Sequence, residues 1–501
     1  MPLRKKILQP KRLDSTEIAA NLPSARYSLA AKSLVLILSI LALTNCGGGG
    51  SGNGSGSGPP ITTSPLAWVW VNGAKVANGF AVYGTQGVAS TTNVPSARTG
   101  SVTWTDSNGN LWLFGGAGDA LAGNNGNLND LWEYSLSTRT WVWIGGSKLV
   151  DASGVYGTLG IPSTSNIPGA RQEAISWTDS SGNFWLFGGE GFNVGGFSGT
   201  LNDLWEYSPN SNAWTWIGGS KLSAAAGVYG IQGTPSTGNI PGARQEAVGW
   251  TDNSGNLWLF GGYGVDSAGI TGELNDLWEF SPSAKTWVWV SGANLIGASG
   301  VYGTQGTPSA SNIPGARQEA ISWLDSEGNL WLFGGYGIDS VGSTNDLNDL
   351  WEYSPSAKTW TWIGGLALVN SSPVYGTQGT PSTGNIPGAR HGAVSWADSA
   401  GNFWLFGGTG VAAGDSTGDL NDLWKYDPSA KTWIWVGGSN EVAATPVYGT
   451  QDTAANGNVP GARQDAISWT DSVGNFWLFG GYGVDSADNT GGLNDLWEFT
   501  P

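Results

Sequence analysis

The sequence predicts an all-β fold: a six-bladed β-propeller of four-stranded blades, its ring closed by an N-terminal strand that completes the C-terminal blade. Three observations predict it. One 73-residue unit is written six times, each unit reads as four short strands, and the two ends of the chain supply complementary parts of one blade. Composition agrees. Of 501 residues, 81 are Gly and 30 are Trp, and only 12% are charged. So many Trp offer a large apolar area to bury, and so much Gly serves tight turns between short strands.

The repeat is read from fixed motifs. Asn-Asp-Leu-Trp recurs with its Asn at 129, 202, 275, 348, 421 and 494, always 73 residues apart. Phe-Gly-Gly keeps the same interval from Phe114 to Phe479, and so does an Ala-Arg pair ending at Arg98, Arg171, Arg244, Arg317, Arg390 and Arg463. The units are 64–136, 137–209, 210–282, 283–355, 356–428 and 429–501, each with five Trp.

The stretch from Arg171 onward, running from the second unit into the third, shows the four strands. Ala174-Ile175-Ser176-Trp177 alternates in polarity, and Asp179-Ser180-Ser181-Gly182-Asn183 is a tight turn. Phe184-Trp185-Leu186-Phe187 is apolar on both faces, as a strand between packed layers should be. Gly188-Gly189 ends it, an 11-residue loop follows, and Leu204-Trp205-Glu206-Tyr207 is the third strand. A turn over Ser208 to Ala213 leads to the fourth strand, Trp214-Thr215-Trp216-Ile217. The Trp ladders read as inter-blade core.

The phase of the ends predicts closure. The first strand, Trp68-Val69-Trp70-Val71, is of the fourth type, and the last, Leu496-Trp497-Glu498-Phe499, is of the third. Pairing them completes the sixth blade and removes two exposed edges.

An apolar run ending in Gly-Gly, then an aromatic residue followed by Trp after six intervening residues, resembles the kelch repeat. The pairs are Tyr134/Trp141, Tyr207/Trp214, Phe280/Trp287, Tyr353/Trp360 and Tyr426/Trp433. The 73-residue period exceeds the ~50 residues usual for kelch. The excess lies in the Val-Tyr-Gly-Thr-Gln-Gly to Pro-Gly-Ala-Arg connection between blades.

Residues 1–46 read as an export signal. Ser33 to Thr44 is a 12-residue apolar run behind basic residues, too short to span a bilayer. Leu43-Thr44-Asn45-Cys46 resembles a bacterial lipoprotein box with Cys46 as the lipidated residue, although Asn45 departs from the small residue usual there. Residues 47–66 form a Gly/Ser-rich tether, and 67–501 the propeller. The expected location is the outer membrane or cell surface, with membrane contact only through the lipid.

Charge and ligand supply exclude several functions. The net charge is −17; without the first 45 residues, 14 basic residues face 36 acidic ones. Such a body repels nucleic acid. One Cys and one His leave no ligand set for zinc, copper or haem, so no metal or cofactor is expected. Copper oxidase chemistry, which the kelch resemblance would otherwise allow through galactose oxidase, is excluded on the same ground.

Geometry places the long connections on one face, where binding is expected. Arg98, Arg171, Arg244, Arg317, Arg390 and Arg463 stand at the channel mouth on that face. They are candidates for carboxylate or sulfate groups of a ligand, or for internal pairing with Glu173, Glu246, Glu319, Asp465 or a loop carboxylate. Tyr83, Tyr156, Tyr229, Tyr302, Tyr375 and Tyr448 of the long connections are candidate stacking platforms. The Asn-Asp pairs, with Asp266, Asp339 and Asp485, read as loop hydrogen bonding and not as a calcium site. His391 replaces the Gln of four other units and reads as drift; Lys425, where other units carry Glu, reads as a surface exchange.

Near-equivalence of the units favours a monomeric, non-catalytic, surface-tethered binding or scaffold protein presenting its loops to a glycan, polymer or protein partner, where weak equal sites add through avidity. The kelch resemblance implies an alternative: a metal-independent carbohydrate-active enzyme such as an N-acetylneuraminate epimerase (a mutarotase).

Overall fold

The computed structural model describes residues 66–120 and 123–501. The export segment, Cys46 and all but the last residue of the tether lie outside them. The described residues are all-β, without an α-helix; the one helical turn is the 3-10 segment Ala413–Asp415. Antiparallel four-stranded sheets dominate, an architecture consistent with a β-propeller.

From Arg171 onward the strands are Ile175–Thr178, Phe184–Phe187, Leu204–Ser208 and Ala213–Gly218, paired in that order. They match the sequence prediction to within a residue or two. The innermost strand alternates, with Ile175 and Trp177 buried and Ser176 and Thr178 half-buried, whereas all four residues of Phe184–Phe187 are buried.

Beyond Gly188-Gly189 the prediction needs correction. The expected 11-residue loop is largely paired: Glu190–Phe192 and Ser198–Thr200 form a hairpin, and Arg171–Gln172 joins its edge. In the third unit the kinked continuation is assigned as one long strand, Leu257–Val265, paired with Thr271–Ser281. Both glycines of the pair have positive φ, 67° and 90° in the second unit, so the chain kinks and the ladder resumes one step out of register.

The core lies between sheets. One cluster joins Trp104, Trp112 and Phe114 of one sheet to Phe184, Trp205 and Trp214 of the next. Another joins Leu111, Leu113 and Trp141 to Trp469, Trp477 and Phe479, the first of these sheets to the last. Each inner-strand Trp also donates its indole N–H to a carbonyl of the next sheet: Trp104 to Trp185, Trp177 to Trp258, Trp250 to Trp331, Trp323 to Trp404, Trp396 to Trp477 and Trp469 back to Trp112, at 2.9–3.3 Å.

The two ends share a sheet. Trp68 to Asn72 pairs antiparallel with Leu496 to Phe499, with Trp68 opposite Phe499 and Trp70 opposite Trp497.

The residues in excess of a kelch-length repeat cover the outer edges. Gly160 N–H donates to Trp216 O, Ser163 N–H to Trp214 O, and Asn166 Nδ2 to both Trp214 O and Ile161 O. At the shared sheet, Asp452 N–H and Asn458 Nδ2 do the same for Trp70 O and Trp68 O. An outer strand without this cover would present unpaired backbone groups to other chains.

Candidate functional site

The six arginines are interior, which corrects the expectation that they face a ligand. Arg171 donates to both oxygens of Asp203, at 2.7 and 2.8 Å, and also to Gly188 O and Gly169 O. The same clamp joins Arg98 to Asp130, Arg244 to Asp276, Arg317 to Asp349, Arg390 to Asp422 and Arg463 to Asp495, all with side chains at most 1% exposed. A buried guanidinium demands partners for its donors, and the Asp of each Asn-Asp-Leu-Trp motif supplies them.

The six tyrosines complete the same clamps and are not platforms. Tyr83, Tyr156, Tyr229, Tyr302, Tyr375 and Tyr448 are all buried and donate their hydroxyls to these aspartates at 2.6–2.9 Å. An indole N–H from the Trp two residues on also donates to the Asp, as Trp205 does to Asp203. Burial would raise Asp203, but the Arg171 charge and the hydrogen bonds from Arg171, Trp205 and Tyr156 hold it below the usual carboxylate range. Burial, then the Asp charge, push the tyrosine hydroxyls well above theirs.

The Asn of each pair also bridges elements: Asn202 donates to Pro241 O and accepts from Ser220 N–H. Asp266 accepts backbone N–H groups of its own turn, from Ala268 and Ile270. Both roles match the loop hydrogen bonding expected.

Chemistry that is free of these clamps converges two residues after each Arg. Backbone hydrogen bonds run from Glu173 to Gly100, Glu246 to Glu173, Glu319 to Glu246, Gly392 to Glu319, Asp465 to Gly392 and Gly100 to Asp465, an unbroken circle at 2.7–3.3 Å. All six residues have φ between 52° and 63°. The two glycines leave room for the carboxylates: a Cβ on Gly392 would lie 2.7 Å from Asp465 Oδ1 and 3.4 Å from Glu319 Oε2.

Three of these carboxyls are held above their ordinary range. Burial first, then Glu246, keep Glu173 far above the usual carboxylate range; burial, Asp465 and Glu246 do the same for Glu319. Burial raises Asp465 to about 6 against the opposing pull of His391. Gln245 Nε2 donates to Glu173 Oε2 and Glu246 Oε1, both at 3.0 Å.

Around the circle the units stop being alike. The residue after each Arg is Thr99, Gln172, Gln245, Gln318, His391 or Gln464. Opposite it in the next strand stand Ala117, Glu190, Tyr263, Tyr336, Thr409 and Tyr482. Opposite those stand Asn127, Thr200, Glu273, Asp346, Asp419 and Gly492. The clamp residues are invariant across the six units, while these three columns vary. A comparison of the units column by column would have found this site; a search for what repeats does not.

Some of the variants meet across unit boundaries. His391 Nδ1 lies 2.6 Å from Asp346 Oδ1, and its Nε2 lies 3.7 Å from Glu319 Oε2. The ring stands edge-on to Tyr336, 6.0 Å between centroids. Thr409 Oγ1 donates to Asp419 Oδ1 at 2.6 Å and also contacts Gln464 Oε1. Burial alone would lower His391, but the Asp346 hydrogen bond and the charges of Glu319, Asp346 and Asp465 raise it to about 9.

At the other end of the inner strands lies an uncharged cavity of about 480 Å³ lined by Thr105, Thr178, Thr251 and Thr470 with Trp104 and Trp177. Thr105 and Thr251 spend their hydroxyl protons on Thr470 O and Thr178 O. No group there titrates in the physiological range.

No protein-family model matches the chain. Among curated proteins it is similar to N-acetylneuraminate epimerases. It is 27% identical over 195 residues to that of Shigella flexneri serotype 5b and 26% identical over 195 residues to that of Escherichia coli strain K12. In both cases the match covers 32% of this chain and 48% of the relative, so the chain spans about half the length of the curated relatives it matches. Together with the four-stranded antiparallel sheets, this distant likeness supports a kelch-type propeller as the fold.

Proposed function

We propose that the chain is a closed six-bladed propeller, exported and anchored through a lipid on Cys46, that binds one sugar-sized ligand over the carboxylate circle and exchanges its anomers. The observation that carries this reading is the convergence of the three variable columns on one place. Catalysis on a small substrate needs an asymmetric set of groups, and six otherwise repeated units are asymmetric there. The groups are carboxyls raised above their ordinary range beside a raised histidine, the equipment of general acid–base chemistry. The likeness to N-acetylneuraminate epimerases supports a sugar as the ligand. The protein acts as a monomer, without metal or nucleic acid.

The experiment is anomer exchange followed by NMR on the purified propeller with N-acetylneuraminate, N-acetylglucosamine and glucose. Exchange above the buffer rate for at least one sugar is the expected result. Rates equal to buffer for all three refute it.

A second reading, non-catalytic binding of a glycan or protein partner, is favoured by the outer grooves between sheets, which do repeat. Asp252, Trp258, Glu279 and Lys358 line one of about 680 Å³, and their counterparts Asp325, Trp331, Glu352 and Lys431 line the next, of about 340 Å³. Glycan-array binding without anomer exchange supports this reading over the first.

A further inference from the structure

Two departures from the repeat, both in one unit, meet a carboxylate of the preceding unit. His391 stands where four other units have Gln, Gly392 stands where four have Glu or Asp, and Asp346 in the preceding unit faces His391 at 2.6 Å. The column of Asp346 is acidic in two further units, at Glu273 and Asp419, but only here does it face a histidine. The pairing fixes the ring: Nδ1–H is held by Asp346, and Nε2, 3.7 Å from Glu319 Oε2, has no hydrogen-bond partner. Gly392 lets Glu319 and Asp465 occupy the space beside it.

We propose that His391 is the acid and Asp465 the base of the anomer exchange, with Asp346 as the positioning residue that orients the imidazole; this rests on the sugar reading above. Asp465 takes the proton of the anomeric hydroxyl while His391 Nε2–H gives its proton to the ring oxygen. The bond between anomeric carbon and ring oxygen breaks as the carbonyl forms. Closure on the other face of the carbonyl returns both protons, so no co-reactant is needed.

The charged and titratable groups facing His391 are Asp346, Glu319, Asp465 and Asp419, with Tyr336 at its edge. Together they hold the imidazole protonated at neutral pH, ready to act as the acid.

His391 is the sole histidine of the chain, so one imidazole signal reports on it without assignment. In the wild type that signal should titrate near 9, and in Asp346→Asn at least one pH unit lower. An imidazole titrating near 6.5 in the wild type, or unmoved by Asp346→Asn, overturns the positioning role. His391→Gln carries the residue that four other units tolerate, so the fold is retained and a melting curve verifies it. Its exchange rate should fall at least a hundredfold, and Asp346→Asn should move the alkaline limb of the rate profile downward by the shift seen in the imidazole. A folded His391→Gln protein exchanging at the wild-type rate overturns the proposal and leaves the sugar reading intact. A wild type inert on every sugar removes both.

Discussion

Buried carboxyls of two kinds give this protein opposite responses to acid and alkali. Asp203 and Asp495, clamped by arginine, sit below their ordinary range, so their contribution is present above about pH 4 and is lost as pH falls further. Glu173 and Glu319 sit above theirs, so folding favours their protonated forms and stability declines as pH rises from about 4.5. His391 acts in the same direction: its contribution is complete below about 6.5 and gone once pH passes about 9. Melting temperature should therefore peak near pH 5 and fall toward pH 9, and Glu173→Gln should flatten that fall. Tryptophan fluorescence melts across this range are the check, and a profile that rises to pH 9 contradicts the protonation pattern. Removing one clamp anion is a harsher change. Asp276→Asn leaves Arg244 buried without its counter-charge, and a loss of about 3–5 kcal/mol in denaturant unfolding is expected.

Sheets and connections carry the next lesson. Glu206, Glu279 and Glu352 each face a lysine of the following unit's last turn, Lys285, Lys358 and Lys431, and Glu498 faces Arg139 at 3.3 Å. Among the described residues Glu133 has no such cation beside it, and neither does the same position in the sheet of Val394–Ala397, Phe403–Phe406, Leu423–Asp427 and Thr432–Gly437. There the Glu is replaced by Lys425, which pairs with Asp398 at 3.5 Å. Lys425→Glu should cost more stability than Lys431→Glu, by up to about 1 kcal/mol, read as the difference in denaturant midpoints.

Strands such as Phe184–Phe187 were legible because apolar runs bounded by turn residues admit few readings. The Arg–Asp clamps were only half legible. Identity in all six units points to an internal role, yet the partner lies 32 residues away, across a Gly-Gly kink that reads as the end of the strand. The variable columns were missed because repetition draws the eye to what stays the same. The outer-edge cover was hidden for another reason: Gly160, Ser163 and Asn166 pair through backbone and amide groups that leave no hydrophobic pattern. Asn166→Ala removes two of those bonds and should cost about 1–2 kcal/mol by the same unfolding assay.

For the whole molecule, the decisive contact is between the termini. Val69 lies directly opposite Glu498. Directly opposed Cα atoms of an antiparallel pair are about 4.5–5.5 Å apart, within disulfide reach. Val69→Cys with Glu498→Cys, in a form lacking Cys46, should oxidise to a single intramolecular cross-link, seen as faster migration on non-reducing gels. Failure to cross-link contradicts the closed ring. Deleting residues 66–72 should cost the cooperativity of thermal unfolding and release aggregates on size exclusion, since the third strand of the last sheet is then bare.

That pairing of the first strand with the last has a temporal side. Trp68 emerges early in synthesis and must wait for Phe499, more than four hundred residues later, before its hydrogen bonds exist. Until then the ribbon of Trp68 and Trp70 has no strand to pair with, so this one sheet is completed last, after every other sheet has had its strands in hand.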